Sequence, residues 1–202
     1  FNELKGNITA IACGNDTTYF ATNLGEVLSY REAGERKLYT IKDEAITALA
    51  YDASQQRLLA GSAMGNLYQL DNDTFHLFMP LAARITAIAS NKDCLWVGLE
   101  KEGIARISPK DKRTDIFSPT HNNFPYTSVK KIIADGKGDI WAMSNPYNAS
   151  LGLAHIVGNQ VTLHNPPPTI LQDIIDFGVS EDGSLWIGTN SDGIYHYTRK
   201  DL

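Results

Sequence analysis

The side chains that most often carry out chemistry in proteins are few and dispersed in this 202-residue sequence. Its histidines show no HxH or HExxH spacing, and its two cysteines, Cys13 and Cys94, show no CxxC spacing, so a zinc site is not indicated. No GxSxG sequence marks a nucleophile elbow. The turn DGKGD at 135–139 lacks the ligand series of an EF-hand loop. The sequence therefore predicts no catalytic residues, no metal ion and no cofactor.

Binding side chains are denser in two segments rich in asparagine and aromatic residues, SPTHNNFPYTS at 118–128 and SNPYNASLG at 144–152. Aromatic rings can stack on the CH faces of a sugar while amides hydrogen-bond its hydroxyls, so this composition suits a neutral, hydroxyl-rich ligand. In the alternative interpretation, the rings hold a long loop onto the domain and the asparagines cap turns. The candidate residues are Asn122, Asn123, Phe124, Tyr126, Asn145, Tyr147 and Asn148.

These segments interrupt a repeat of about forty residues. In each copy, an aliphatic residue opens the first strand, an aromatic residue or leucine opens the second, and a small or flexible residue follows two positions later. Short β-like segments between Gly, Asn and Asp turns, without helical periodicity, predict an all-β protein whose copies are the four-stranded blades of a β-propeller. The five first strands open at Ile8, Ile46, Ile85, Val129 and Ile174, and three of them read ITAIA or ITALA.

The repeat predicts one β-propeller domain over residues 1–202, but it leaves the closure of the ring open. The fifth copy ends after its third strand, and FNEL at 1–4 stands where a fourth strand would precede the first copy. FNEL would then complete the fifth blade and close a five-bladed ring, or else the chain is part of a larger ring. The predicted blades are at roughly 8–41, 46–79, 85–117, 129–164 and 174–202.

The strand order also predicts where the candidate residues lie. Loops that enter a first strand and loops between a second and a third strand emerge on the same face of a propeller, so both asparagine-rich segments are expected in one sector, at blade four. Lys130, Lys131 and Asp176 replace the Thr or Ala of earlier first strands. We expect them near the mouth of the central channel, where they either contact a ligand or pair with one another.

Composition argues against several other classes of protein. The formal net charge is −5 and no run of basic residues occurs, so the sequence does not predict binding to nucleic acid. No segment approaches the roughly twenty apolar residues that cross a bilayer, so direct membrane insertion is not expected. Cys13 and Cys94 lie in copies that are not neighbours, and both are expected to be free thiols.

Two segments share a recognisable sequence motif, VKKIIADGKGDIW at 129–141 and IIDFGVSEDGSLWIGTNSDG at 174–193. A weaker version, LWVGLEKEGI, occurs at 95–104. They resemble the two-component regulator propeller repeat, in which an Asp-Gly turn is followed by LWIGT and a pair of glycines. The resemblance implies a non-enzymatic, periplasmic or extracellular sensor region of a hybrid histidine kinase, with an oligosaccharide as its ligand. The alternative function is a scaffold that binds a protein partner in a cell-surface or secretion assembly.

Overall fold

A computed structural model describes residues 4–81, 83–144, 152–164 and 174–198 of the chain. Within these ranges every regular element is a β-strand, and the strands form five separate antiparallel sheets. This confirms the predicted all-β class and the β-propeller architecture. The described residues contain no helix long and apolar enough to cross a membrane.

Each sheet is one blade, and its strands follow one another in chain order from the innermost to the outermost. Blade one contains β1 (Ile8–Gly14), β2 (Thr17–Thr22), β3 (Glu26–Arg31) and β4 (Arg36–Thr40). Blade two contains β5 (Ile46–Asp52), β6 (Arg57–Ser62), β7 (Asn66–Asp71) and β8 (Thr74–Pro80). Blade three contains β9 (Ile85–Ser90), β10 (Leu95–Leu99), β11 (Gly103–Ile107) and β12 (Thr114–Phe117).

Blade four contains β13 (Val129–Ala134), β14 (Ile140–Ser144), β15 (Leu153–Val157) and β16 (Gln160–His164). Blade five contains β17 (Ile174–Val179), β18 (Leu185–Thr189) and β19 (Ile194–Tyr197) within the described ranges. All five predicted opening residues are the first residues of the innermost strands, so the repeat register read from the sequence is confirmed. Residues 1–3 of the FNEL segment lie outside the described residues, and its role in blade five stays a prediction.

The hydrophobic core lies between successive blades. We call the side of a blade that faces the next blade in the chain its forward face, and the opposite side its rear face. Leu59 and Leu67 on the forward face of blade two pack with Ile85, Val97 and Ile107 on the rear face of blade three, and all five side chains are fully buried. Equivalent clusters join blades one and two, three and four, and four and five. Each blade is therefore stabilised by apolar burial against its neighbours.

The second residue of the innermost strand joins neighbouring blades by hydrogen bonds. The Thr9 hydroxyl donates to the carbonyl oxygen of Ile46 at 2.6 Å, and the Thr47 hydroxyl donates to that of Ile85 at 2.5 Å. In each case, the acceptor is the residue that opens the next blade. The recurring ITA sequence thus combines an aliphatic residue for the core with a hydroxyl that links two innermost strands.

Candidate functional site

A cavity of about 700 Å³ lies at the centre of the propeller and is lined by the innermost strand of every blade. Threonine, alanine and aliphatic side chains from blades one to three form most of its wall. The charged side chains in the lining come from blades four and five alone, and they are Lys130, Lys131 and Asp176. The predicted position of these three residues at the central channel is therefore observed. A cavity of this size falls in the range of small-molecule sites, roughly 300–1,000 Å³.

The charged residues of the cavity link blade four to blade five. Lys131 Nζ lies 2.6 Å from Asp176 Oδ1, and this carboxylate oxygen also accepts the backbone N–H of Phe177 at 2.9 Å. Lys130 Nζ donates to the carbonyl oxygen of Ile175 at 2.8 Å. Of the two predicted alternatives, mutual pairing is observed for Lys131 and Asp176, and contact with a ligand stays a prediction. The pair is partly exposed, so both charges remain reachable from the cavity.

The positions of Phe124 and Tyr126 differ from those expected of ligand-binding rings. Their exposed fractions are 0% and 2%, and their ring centroids lie 5.2 Å apart in an edge-to-face contact within the core between blades three and four. The Tyr126 hydroxyl donates to the backbone carbonyl of Gly152, and burial raises its pKa. Rings buried in this way cannot stack on a ligand while the loop stays in place. Their packing agrees with the alternative interpretation, in which they hold the long segment onto blade four.

The asparagines of the first long segment take turn conformations. Asn122 and Asn123 are exposed and have φ values of 61° and 51°, in the left-handed region that asparagine tolerates better than most residues. The Asn122 side-chain amide donates to the carbonyl oxygen of Ile116 at 2.9 Å, which fixes the turn. The other candidates in the second segment, Asn145, Tyr147 and Asn148, lie outside the described residues. A ligand-binding role for any of these amides stays a prediction.

A stacked pair that the sequence analysis did not identify recurs between the second and third strands of three blades. The Trp141 ring stacks on His155 with centroids 4.0 Å apart, and Trp186 stacks on His196 at 4.2 Å. In blade three, the Arg106 guanidinium lies 5.6 Å from the Trp96 ring centroid. Each pair joins directly opposed residues of an antiparallel ladder. Strand register, applied to the aligned repeats, could have revealed these pairs.

Three side chains of blade four could each offer one ligand atom to a metal ion. Atoms of Asp135, Asp139 and His155 lie within 4.8 Å of one another. Asp135 Oδ1 accepts the backbone N–H groups of Lys137 and Asp139, at 2.8 and 3.0 Å, and so shapes the DGKGD turn. Burial lowers the pKa of His155, although the nearby Asp139 carboxylate acts in the opposite direction. The hydrogen bonds of Asp135 agree with its interpretation as part of a blade turn.

The sequence matches no known family model and no curated protein. Solved structures do resemble it. A streptogramin B lyase is 14% identical with a TM-score of 0.72, over 96% of this chain and 70% of that chain. The WD40 β-propeller domain of Doa1 is 10% identical with a TM-score of 0.73, over 96% of this chain and 64% of that chain.

A third similar structure is described as the extracellular domain of a hybrid two-component system from B. thetaiotaomicron. It is 15% identical to this chain with a TM-score of 0.69, over 95% of this chain and 27% of that domain. The chain thus spans about a quarter of the length of that extracellular domain. At these identities the likeness shows the fold alone, and the three structures together place the chain among β-propellers.

Proposed function

We propose that this propeller is the extracytoplasmic ligand-binding part of a two-component sensor and that it binds an oligosaccharide in its central cavity. The observation that carries the proposal is the Lys131–Asp176 pair, which lies in the cavity wall at the contact between two blades. The likeness to the extracellular domain of a hybrid two-component system supports the choice of a sensor. The LWIGT motif in blade five supports a sensor function independently.

The cavity offers a sugar both kinds of hydrogen-bonding group. Ammonium groups donate only and carboxylates accept only, whereas a sugar hydroxyl does both, so Lys131 and Asp176 can each bind a separate hydroxyl. The threonine hydroxyls of blades one and two already donate to backbone carbonyls. Recognition is therefore concentrated on the wall formed by blades four and five, where Lys130 adds a second positive charge.

The position of the Lys131–Asp176 pair also connects ligand binding to a change in the contact between blades four and five. Lys131 belongs to blade four and Asp176 to blade five, so a ligand that inserts between them changes the contact of the two blades. A ligand that bridges them strengthens this contact and favours the state in which both blades are held together. Sensing then consists of a shift in the packing of blade five against blade four.

Isothermal titration with neutral trisaccharides of glucose, galactose and xylose, and with a uronic-acid disaccharide, tests the proposal. We expect at least one of these sugars to bind, and we expect Lys131→Ala combined with Asp176→Ala to weaken its binding by about tenfold or more. Lys110→Ala, a change at an exposed lysine outside the cavity lining, is the matched control and should leave binding unchanged.

Failure of every sugar to bind, or equal binding by the cavity variant and the control, would overturn the proposed site. Circular dichroism of both variants separates a lost site from a lost fold. Stable capture of a purified partner protein that free sugars do not displace would instead support the scaffold function.

A further inference from the structure

The turn between β13 and β14 brings two carboxylates close to an imidazole, and we call Asp135, Asp139 and His155 the blade-four triad. One ligand atom from each side chain lies within 4.8 Å of the other two. No other three Asp, Glu, His or Cys side chains in the described part of the chain meet this distance. Asp135 lies four residues beyond Lys131 along an extended strand, which is about 13 Å. The triad is therefore separate from the charged wall of the central cavity, whose lining does not include it.

Strand register explains why these three residues meet. Asp135 follows β13 and Asp139 precedes β14, and the Asp135 N–H donates to the Asp139 carbonyl oxygen at 2.9 Å, which closes the turn. Asp139 stands two residues before Trp141, so both side chains point to the same face of the sheet. His155 lies directly opposite Trp141 on β15. His155 is therefore the diagonal neighbour of Asp139, within reach of its carboxylate.

The separation of His155 and Asp139 fits a shared ion better than a direct hydrogen bond. His155 Nε2 lies 3.7 Å from Asp139 Oδ2, which is beyond hydrogen-bond distance. This nitrogen is buried and has no hydrogen-bond partner among the described residues. Two ligand atoms that each bind one zinc ion at about 2.0–2.2 Å lie about 3–4 Å apart. An ion between them would therefore satisfy a nitrogen that no described residue satisfies.

Asp135 provides the third ligand atom from a fixed position. Its Oδ1 accepts the backbone N–H groups of Lys137 and Asp139 at 2.8 and 3.0 Å, so the carboxylate is oriented before an ion binds. Asp135 also lines a cleft of about 260 Å³ between the turns of blades three and four, which gives an ion a path from solvent. Three protein ligands leave the fourth position of a tetrahedral zinc ion for a water molecule.

The indole beside the triad is a second buried group without a partner. Trp141 is 3% exposed, and its Nε1–H has no acceptor among the described residues. In blade five, the equivalent Trp186 N–H donates to Ser180 Oγ at 3.0 Å, and Ser180 occupies the position of Asp135. Because each indole stacks on the histidine opposite it, we infer that the Trp141 N–H faces the triad. A water molecule on the ion can accept this N–H.

Blade five repeats the turn and the stacked histidine without the carboxylates. The Ser180 N–H donates to the Ser184 carbonyl oxygen at 2.9 Å, as in the turn of the triad. His196 stacks on its tryptophan at 4.2 Å, and His155 does so at 4.0 Å. Neither the turn nor the stack therefore requires two aspartates, and their presence in blade four needs another reason.

We propose that the blade-four triad binds one divalent transition-metal ion, such as Zn²⁺, through His155 Nε2 and one oxygen each of Asp135 and Asp139. An imidazole ligand favours zinc over calcium and magnesium, which prefer oxygen ligands. The two carboxylates balance the charge of the ion, and the ion ties the β13–β14 turn to β15. The ligands come from a turn and a separate strand, so the sequence shows none of the short spacings that mark a zinc site.

Isothermal titration with ZnCl₂ tests the site, and it does not depend on the proposed sugar ligand. The 202-residue chain carries Cys13→Ser, because an exposed thiol can bind zinc by itself, and is first dialysed against EDTA. We expect one zinc ion per chain, and we expect Asp139→Asn or His155→Gln to weaken its binding by about tenfold or more. His196→Gln removes the histidine of the equivalent stack in blade five and should leave zinc binding unchanged.

Thermal unfolding provides a second measurement. ZnCl₂ should raise the melting temperature of the parent chain and of His196→Gln, but not that of Asp139→Asn, because only an ion bound to the folded state stabilises it. Circular dichroism shows whether each variant is folded, and Asp139→Asn decides the question if His155→Gln is not. Absence of zinc binding, equal binding by Asp139→Asn and the parent, or loss of binding in His196→Gln would overturn the site. Tighter binding of CaCl₂ than of ZnCl₂ would overturn the assigned class of metal.

Discussion

Ile85 and Ile8 open the innermost strands of blades three and one, and both belong to the sequence ITAIA. Ile85 is fully buried against blade two, and Ile8 is half exposed. Residue type and strand position are the same, so the difference arises from packing: blade two covers Ile85, whereas no blade of the described residues covers Ile8. The repeat therefore places apolar residues on both faces of each blade, and a face is buried only where a neighbouring blade packs against it.

The largest expected effect is on stability at equivalent positions of covered and uncovered faces. Leu67→Ala removes a fully buried side chain between blades two and three, and we expect it to lower the free energy of unfolding by about 2–5 kcal/mol. Ile194→Ala in blade five is the matched change at a 74% exposed side chain, and we expect a loss below about 0.5 kcal/mol. Urea denaturation of the 202-residue chain measures both. Equal losses would mean that the forward face of blade five is covered.

The next effect concerns the loop that covers the core between blades three and four. Tyr126→Phe keeps the buried ring but removes the hydroxyl that donates to Gly152, so we expect a loss of about 1–3 kcal/mol in the free energy of unfolding. Sugar binding should not change, because the ring is not accessible. A variant of unchanged stability that no longer binds a sugar would return Tyr126 to the ligand-binding residues.

A smaller difference is expected between two threonines of the cavity wall. The Thr47 hydroxyl donates to blade three, and we expect Thr47→Val to cost about 1 kcal/mol. The Thr86 hydroxyl is buried without a hydrogen-bond partner, so Thr86→Val should be neutral or stabilising. Thermal unfolding of the two variants side by side provides the comparison. A larger loss for Thr86→Val would show that its hydroxyl has a partner in solution.

The smallest expected effect is a pH dependence of the free energy of unfolding that arises from two histidines of blade four. Burial lowers the pKa of His155 and of His164 from 6.5, so the folded chain binds fewer protons there than the unfolded chain. The free energy of unfolding should fall as the pH drops below about 6.5, and the fall should end below the folded pKa values. His155→Gln with His164→Gln should flatten this fall between pH 7.5 and 5, as urea denaturation at a series of pH values would measure. An unchanged slope in the double variant would contradict the assignment.

The fold was predicted well from the sequence because every blade of a propeller needs similar residues at equivalent positions. Ile46 and Ile174 begin their strands as expected, since each blade needs the same aliphatic residue in the same place. The site was predicted less completely. Lys130 and Asp176 were placed at the central channel because they depart from the repeat, whereas Phe124 was left open between ligand contact and loop packing and lies in the core. Composition shows that a loop has aromatic rings, but only tertiary packing decides whether they face solvent or the core.

Hydrogen exchange at β19 (Ile194–Tyr197) tests most directly whether cover by a following blade, and not residue type, determines how strongly a blade is stabilised. The equivalent strand of blade four, β15 (Leu153–Val157), is covered by blade five and serves as the reference. We expect the amides of β19 to exchange much faster than those of β15. Exchange of β19 as slow as that of β15 would contradict the account.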